Sequence, residues 1–269
     1  MDNIANYKKI SNEVRKKVLE MIYKAQTSHI GSNFSCIDIL TVIFEKANLD
    51  RNLKEDRDRI VVSKGWVAAA MYVFLARKGI IPEKDLDTYC QEGSRYIGLA
   101  EPNVRGVEAA GGSMGFGLPF GVGFALAKKI KKEAGRVFVV MSDGEMDCGT
   151  TWESALIAAH NKLDNLLVII DANGLQAMGR TEEVLNIEPL RNKWETFGWE
   201  AREIDGHNFE QIEKALSVPI AQSEKPLVVI ARTIKGKGVS FMENNNLYHY
   251  KAPSEQEYQK ALEELEKNG

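Results

Sequence analysis

Residues Val137–Thr181 read VFVVMSDGEMDCGTTWESALIAAHNKLDNLLVIIDANGLQAMGRT, and this stretch decides the fold. A β-branched apolar run ends at Asp143, a helical pattern follows at about Thr151–Lys162, and a second apolar run ends at Asp171–Asn173. Such a strand–helix–strand unit predicts two parallel strands whose carboxyl ends lie on the same edge of a sheet. Open α/β sheets bind their ligands at that edge.

The same alternation of apolar runs and helical patterns continues along the rest of the chain. The runs are continuous, as expected for strands that are covered on both faces. The sequence therefore predicts an α/β fold, with a doubly wound, mostly parallel sheet and helices on both faces. It also predicts a single domain over residues 1–269, with a C-terminal helix at about 254–267. The predicted strands are Arg59–Ser63, Arg136–Ser142, Asn165–Asp171, Trp199–Ile204 and Pro226–Arg232. The predicted helices are Asn6–Lys24, Ile37–Lys46, Val67–Lys78, Ser113–Lys132, Thr151–Lys162, Phe209–Ala221 and Ser254–Lys267.

Composition excludes several classes of function. The 269 residues include 35 Lys and Arg against 38 Asp and Glu, and the net charge of −3 gives no reason to expect nucleic acid or an anionic membrane as a partner. The longest apolar run, Trp66–Ala76, is too short to span a bilayer. The three cysteines, Cys36, Cys90 and Cys148, are widely spaced and predict neither a disulfide framework nor a zinc site. A soluble, cytoplasmic protein is expected.

The two strand ends in the opening stretch predict a metal site. Asp143 and Asn173 follow neighbouring strands, so a carboxylate and an amide oxygen converge there together with backbone carbonyls. These hard oxygen ligands suit Mg²⁺ or Ca²⁺, which typically bridge to phosphate oxygens. Gly144 allows a ligand to approach the backbone closely. Alternatively, SDG is a turn with an Asp cap and ANG an ordinary turn, but their pairing across one crossover favours a site for a metal-bound diphosphate.

The spacing from Asp-Gly to Asn is similar to the thiamine diphosphate motif, and the chain resembles the N-terminal half of transketolases nearly end to end. Its short length is similar to that of the N-terminal subunit of split transketolases, whose second half is a separate polypeptide. The segments that carry the resemblance are SHIGSNFSCIDIL (Ser28–Leu40), RDRIVVSKG (Arg57–Gly65), GVEAAGGSMGFGL (Gly106–Leu118), KLDNLLVIIDANGLQ (Lys162–Gln176), GRTEEV (Gly179–Val184), FGWEAREIDGHNF (Phe197–Phe209) and ARTIKGKGVSFMENN (Ala231–Asn245).

The resemblance implies a cofactor, thiamine diphosphate, and a divalent metal ion, Mg²⁺ or Ca²⁺. By the family pattern the metal is held by Asp143, by the side chain of Asn173 and by the backbone carbonyl of Leu175. Gly144 lies against the diphosphate in that pattern.

The resemblance also implies contacts to the rest of the cofactor and to the substrate. Gly112 and Met114, in GGSMG, approach the cofactor rings. His29 and His249 match two family histidines near the cofactor and the donor, and both are expected to be catalytic. The alternatives are a capping or turn histidine for His29 and a surface loop residue for His249.

Four further features have weaker support. His160 is interpreted as a packed helix residue and His207 as part of a DGH turn. Gly115–Gly121 resembles a loose dinucleotide fingerprint, but a true one follows a strand directly and residues 94–113 are predicted to be loop. The KGKG at 235–238 lacks the order of a phosphate loop. It is either an exposed basic turn or, by the resemblance, a loop near the active site.

Five positions depart from the family pattern. Trp66 and Glu101 stand where transketolases usually carry histidines, and Tyr250 replaces a glycine. These three positions touch the substrate channel, so the resemblance implies retained cofactor binding with an altered donor sugar. Cys148 replaces a glutamate of the family's subunit interface, and Ser142 replaces the usual glycine before the metal aspartate.

The resemblance implies a transketolase-type transferase that moves a two-carbon ketol unit from a ketose to an aldose. The chain is expected to be inactive alone, because the glutamate that engages the aminopyrimidine belongs to the C-terminal, pyrimidine-binding subunit. An α₂β₂ assembly acting on sugars or sugar phosphates is expected, with neither nucleic acid nor a membrane as partner. Two alternatives stay open. One is a subunit of another thiamine diphosphate enzyme, either deoxyxylulose phosphate synthase-like or dehydrogenase-type, and the other is a non-catalytic paralogue.

Overall fold

The computed structural model describes residues 2–50, 55–217 and 224–267. Its central sheet has five strands: β1 (Arg59–Val62), β2 (Val137–Ser142), β3 (Leu166–Ala172), β4 (Glu200–Asp205) and β5 (Leu227–Arg232). The strands lie in the order β1-β2-β3-β5-β4, and every neighbouring pair is parallel. Each strand lies within a single residue of its predicted bounds at either end. The predicted α/β class with a parallel sheet is confirmed.

Helices cover both faces of the sheet, which accounts for the continuous apolar runs. Along β2, Phe138 and Val140 face the larger of two cores, while Val139 and Met141 face the other. The helices are α1 (Asp2–Ala25), α2 (Ile30–Lys46), α3 (Ala68–Arg77), α4 (Gly117–Lys131), α5 (Gly149–His160), α6 (Thr181–Val184), α7 (Leu190–Thr196), α8 (Phe209–Leu216) and α9 (Glu255–Lys267). The larger core packs against α1, α2, α3, α8 and α9, and the second core packs under α4, α5 and α7. None of the described helices is long and apolar enough to cross a bilayer.

The second helix begins earlier than the sequence predicts. It starts at Ile30 rather than Ile37, although the intervening residues are mostly small and polar. Tertiary contacts explain the difference, because this first part of the helix is buried and Asn33 Oδ1 accepts the N–H of Ala70 at 3.0 Å. A polar pattern that is typical of a turn is here a helix whose polar groups are satisfied inside the protein.

The fourth helix begins later than predicted, at Gly117 rather than Ser113. Gly115 prevents an earlier start because its φ is +78° and its N–H is bonded to Glu145 Oε1 at 3.1 Å. The helix then lies directly on the sheet, since a Cβ on Gly117 would be 2.3 Å from the Cβ of Ser63. The preceding loop is therefore left at the carboxyl edge of the sheet.

Three smaller expectations have different outcomes. α8 ends at Leu216, and most of the predicted remainder lies at 218–223, outside the described residues. His160 is exposed at the end of α5, so its interpretation as a packed residue is wrong. Residues 94–113 form a loop as predicted, so Gly115–Gly121 lacks the strand that a dinucleotide fingerprint requires. The short helices α6 and α7 were not predicted.

The segment after β1 meets the neighbouring loop through backbone alone. Gly65 donates its N–H to the carbonyl of Gly111 at 2.8 Å and accepts the N–H of Ala100 at 2.9 Å. A Cβ on Gly65 would lie 2.1 Å from the Gly111 oxygen, so only glycine fits there. The contact fixes the positions of Leu99 and Gly112, the residues next to the two anchored positions, at the edge of the sheet.

Candidate active site

The carboxyl ends of β1, β2 and β3 border one cleft of about 350 Å³. This is the edge at which doubly wound sheets bind ligands. Glu101 does not line the cleft, and its Oε1 lies 3.9 Å from where a Cβ on Gly112 would stand. All the other predicted site residues line it: His29, Trp66, Gly112, Met114, Asp143, Gly144, Asn173, Leu175, His249 and Tyr250.

Asp143 joins the ends of β2 and β3. Its carboxylate is 3% exposed and accepts the N–H of Gly144 at 2.9 Å and the N–H of Gly174 at 2.7 Å. Burial and then the nearby carboxylate of Asp171 raise the pKa of Asp143 to about 6. Two buried carboxylates that repel each other form an environment that a cation stabilises.

The oxygens beside Asp143 fit a divalent metal ion. Asn173 Oδ1 accepts the N–H of Leu175 at 3.1 Å, and the Leu175 carbonyl also borders the cleft. Carboxylate, amide and carbonyl oxygens are the donors that Mg²⁺ and Ca²⁺ prefer. Among the described residues, no three His, Cys, Asp or Glu side chains are grouped to hold a metal. The donor set is therefore one of mixed oxygens rather than a cluster of carboxylates or imidazoles.

A buried ion pair, absent from the predicted site, lies under the cleft. The side chains of Lys64 and Asp171 are 1% and 0% exposed, and they form an ion pair. Asp171 also accepts the hydroxyl of Ser35 at 2.6 Å and that of Thr233. Burial opposes both charges, but each partner outweighs it, so the pKa of Lys64 is raised and that of Asp171 is lowered. The lysine of SKG and the aspartate at the end of β3 were the signal available in the sequence.

A second buried lysine comes from the loop after β5. Lys235 is 1% exposed, and its Nζ donates to His249 Nδ1 at 2.8 Å and Asn246 Oδ1 at 3.0 Å. None of the described carboxylates forms an ion pair with it. Burial and then the charge of Lys64 lower the pKa of Lys235 to about 8. The alternative of an exposed basic turn is therefore wrong for this residue, which offers an unneutralised cation to an anion in the cleft.

The two predicted histidines lie side by side. Their ring centroids are 5.1 Å apart, and the N–H of His29 donates to the carbonyl of His249 at 2.8 Å. His29 precedes α2 with a φ of +74°, but its side chain makes no capping hydrogen bond within the described residues. Because Lys235 donates to Nδ1 of His249, the proton of that neutral ring lies on Nε2.

Both histidines are neutral at pH 7. Burial and then the charge of Lys235 lower the pKa of His29 to about 4 and that of His249 to about 3. Neutral rings can donate or accept a hydrogen bond in the cleft, and they add no positive charge beside the two lysines.

These two pKa values predict a stability that depends on pH. Below the ordinary value of 6.5, the unfolded chain binds protons that the folded chain excludes. The stability that the histidines contribute is therefore complete above pH 6.5 and is lost as the pH falls towards 4 and then 3. Urea unfolding measured across this window should show a smaller loss for His249→Gln than for the unaltered chain. His160→Gln, at an exposed position, should keep the original slope, and equal slopes in all three proteins would contradict the prediction.

Glu145 fixes the loop that carries Met114. Its carboxylate is fully buried and accepts hydrogen bonds from Ser63, from the N–H of Gly115 at 3.1 Å and from the N–H of Ser142 at 2.8 Å. No distinct signal in the sequence indicates this role, because it depends on three segments meeting.

Cys148 packs behind the same loop. Its Sγ would lie 3.1 Å from a Cβ on Gly115. Burial, followed by the charges of Glu145 and Asp147, raises the pKa of the Cys148 thiol. The thiol is therefore a packing group and a poor nucleophile.

The comparisons with known proteins agree with this geometry. Residues 6–268 match the family described as "Transketolase, thiamine diphosphate binding domain". The chain belongs to the transketolase family. Its reaction class is therefore ketol transfer, with thiamine diphosphate as cofactor. The resemblance seen in the sequence motifs is confirmed.

Two relatives match the chain over almost their whole length. One of them, a subunit of the apulose-4-phosphate transketolase from Phocaeicola vulgatus, is 38% identical over 258 residues, which cover 95% of this chain and 92% of the relative. The 6-deoxy-6-sulfo-D-fructose transketolase subunit SqwG from Clostridium sp. is 35% identical over 263 residues, 96% of each chain. The transketolase structure from Campylobacter jejuni superposes with a TM-score of 0.91 at 30% identity, covering 97% of this chain. The chain spans 42% of that longer transketolase chain.

Proposed function

We propose that this chain is the diphosphate-binding half of a two-chain transketolase and that it acts as a single domain in the cytoplasm. The observation that carries the proposal is the pairing, in one cleft, of oxygen ligands at Asp143 and Asn173 with the unneutralised ammonium of Lys235. A metal-bound diphosphate needs both features, because its charge is neutralised partly by the cation and partly by the protein.

Asp143, the side chain of Asn173 and the carbonyl of Leu175 hold the Mg²⁺ or Ca²⁺ ion in this proposal. Gly144 lets the diphosphate approach the backbone, and a Cβ there would meet the side chain of Gln176 at 3.2 Å. Lys235 provides positive charge to the phosphate oxygens. These assignments are supported by the donor chemistry and by the burial of the charged groups.

The remaining residues act on the rings and on the donor sugar. When bound, thiamine diphosphate supplies the nucleophilic carbon that adds to the ketose carbonyl and carries the two-carbon unit to the aldose. Gly112 and Met114 border the rings. His249 carries its proton on Nε2 and offers it to an oxygen in the cleft, while His29 stands beside it as a second neutral ring.

A partner chain completes the site. The cleft opens between large apolar side chains that are exposed in this chain, including Met178 at 79% and Tyr250 at 66% exposure. Exposed apolar side chains clustered around a site are typical of a surface that another chain covers. We propose that this other chain is the C-terminal, pyrimidine-binding half of the transketolase, in an α₂β₂ assembly. The relatives named as subunits support a two-chain enzyme.

The donor is a sugar or sugar phosphate whose recognition differs from the common family pattern. Trp66 and Tyr250 narrow the cleft with aromatic rings, and Glu101 lies just outside it, next to Gly112. Related subunits are named for apulose 4-phosphate and 6-deoxy-6-sulfo-D-fructose, ketoses that carry an anionic substituent. We therefore propose a ketose of this substituted class.

Co-expression with the pyrimidine-binding chain tests the proposal. Purified complex should transfer a ketol unit from at least one donor in a panel of free, phosphorylated and sulfonated ketoses, and either chain alone should be inactive. Aldose product is measured by mass spectrometry, and sedimentation gives the subunit ratio. Activity of this chain by itself would contradict the two-chain proposal.

The same complex separates the alternatives. Decarboxylation of pyruvate would indicate a deoxyxylulose phosphate synthase-like or dehydrogenase-type enzyme. A calorimetric titration without any thiamine diphosphate binding would indicate a non-catalytic paralogue. Retention of the oxygen donors and of both histidines in one cleft argues against the paralogue.

A further inference from the structure

A buried triad of polar side chains lies behind the cleft without lining it. Arg15 on α1 donates from both terminal nitrogens to the two carboxylate oxygens of Asp38 on α2, each at 2.8 Å. His207, in the turn after β4, places Nδ1 2.8 Å from the same carboxylate. The three side chains are 7%, 6% and 12% exposed. The sequence pattern correctly placed His207 in a turn, but it did not indicate this partner.

The triad contacts the loop after β5 at two points. His207 Nε2 accepts the N–H of Ile234 at 2.9 Å, so the ring carries its proton on Nδ1 and donates it to the triad carboxylate. Arg15 Nε donates to the carbonyl of Lys237 at 3.0 Å. Ile234 and Lys237 lie on either side of Lys235, the lysine that enters the cleft.

The loop between these contacts has its own constraint. Gly236 has a φ of +82° and donates its N–H to the carbonyl of Gly31 at 2.9 Å. A Cβ on Gly236 would lie 2.2 Å from the Met242 carbonyl oxygen. The backbone on both sides of Lys235 is therefore held by hydrogen bonds that come from α1, from α2 and from the turn after β4.

Lys235 itself supplies little to hold its own position. Its polar partners are the neutral side chains of Asn246 and His249 and, at 3.4 Å, the carbonyl of Leu175. A buried ammonium without a counter-ion is unfavourable, and a lysine side chain has many rotamers. The loop must therefore be fixed by other groups if the ammonium is to stay in the cleft.

We propose that Arg15, Asp38 and His207 are positioning residues that clamp the loop on both sides of Lys235 and aim its ammonium into the cleft. The clamp is an inference from the contacts of this chain alone. Its consequence for cofactor binding rests on the function proposed above, in which Lys235 contacts the diphosphate.

Chemical labelling of lysines on the full chain tests the clamp. Asparagine at position 207 retains a polar group near Nδ1 for Asp38 but loses the acceptor for Ile234, whereas glutamine retains an acceptor near Nε2. Reductive methylation by formaldehyde, read by mass spectrometry, should modify Lys235 about fivefold faster in His207→Asn, the factor for one lost hydrogen bond in a local opening. His207→Gln should label Lys235 at close to the original rate.

Two internal controls separate a loosened loop from general unfolding. Lys64 is equally buried but is held by Asp171 on a different element, so its labelling rate should not change. His160→Asn, at the exposed histidine, should leave both lysines as they are. An unchanged rate at Lys235 in His207→Asn would overturn the proposal.

A rise at both Lys64 and Lys235 would mean that His207→Asn unfolds the chain, and Arg15→Lys then decides. This change retains a charge for Asp38 but removes the guanidinium bond to Lys237. A selective rise at Lys235 supports the clamp, and no rise overturns it.

The cofactor gives a separate measurement in the complex with the pyrimidine-binding chain. Mg²⁺ and thiamine diphosphate should protect Lys235 of the unaltered protein from methylation. Absence of protection would contradict the proposed contact to the diphosphate but would leave the result on the clamp standing. Protection together with unchanged labelling in His207→Asn would overturn the clamp and leave the proposed function intact.

Discussion

Replacing Asp143 by alanine is expected to weaken Mg²⁺-dependent binding of thiamine diphosphate at least about 100-fold, since groups that only support metal ligands already account for 10- to 100-fold. The change removes the charged member of the oxygen set at the ends of β2 and β3. Calorimetric titration of the complex with thiamine diphosphate at fixed Mg²⁺ measures the loss. Turnover should fall in parallel.

The fold should survive the replacement of Asp143. Burial and Asp171 both oppose its charge, so the folded chain gives up an unfavourable ionisation when the carboxylate is removed. Circular dichroism should show an unchanged spectrum. Asp87→Asn, which alters an exposed carboxylate remote from the cleft, should leave the affinity as it was. Ordinary turnover by Asp143→Ala would refute the metal assignment.

The largest effect on folding is expected at Asp171. Asp171→Asn leaves the ammonium of Lys64 buried without a counter-ion and disturbs the hydrogen bonds from Ser35 and Thr233. Breaking one side of a buried ion pair costs about 3–5 kcal/mol of the free energy of unfolding. Urea denaturation followed by circular dichroism measures the difference.

Two comparisons make the Asp171 result specific. The double variant Lys64→Met, Asp171→Leu removes both charges and should recover much of the lost stability, because apolar replacements of a buried pair are often neutral. Glu195→Gln breaks the exposed pair with Arg191 and should change little. A single variant as stable as the parent would show that Lys64 is neutral or solvated in the folded chain.

The sheet was predictable because its strands are covered on both faces. Each apolar run, such as 137–142, is continuous and bounded by polar residues, so its limits are visible in the sequence. The start of α2 was not predictable in this way. Its first residues have the composition of a turn, and only their burial against α3 and the loop after β5 makes a helix there favourable.

The oxygen donors of the site were predictable for a topological reason. Asp143 and Asn173 follow two parallel strands joined by one crossover, and such strand ends must lie at one edge. The buried lysines were not, because a lysine is usually exposed and its burial depends on contacts between distant segments. Lys64 finds Asp171, and Lys235 is enclosed by residues from three parts of the chain. The same reason explains why His207 and His160 were ranked alike.

The backbone contact between Gly65 and Gly111 has an evolutionary consequence. Neither glycine can acquire a side chain without separating the two segments, so selection has no means of varying the floor of the cleft there. The neighbouring positions Leu99 and Met114 are partly exposed and carry no such restriction. New sugar preferences can therefore arise by substitution around the entrance while the cofactor's seat is inherited unchanged.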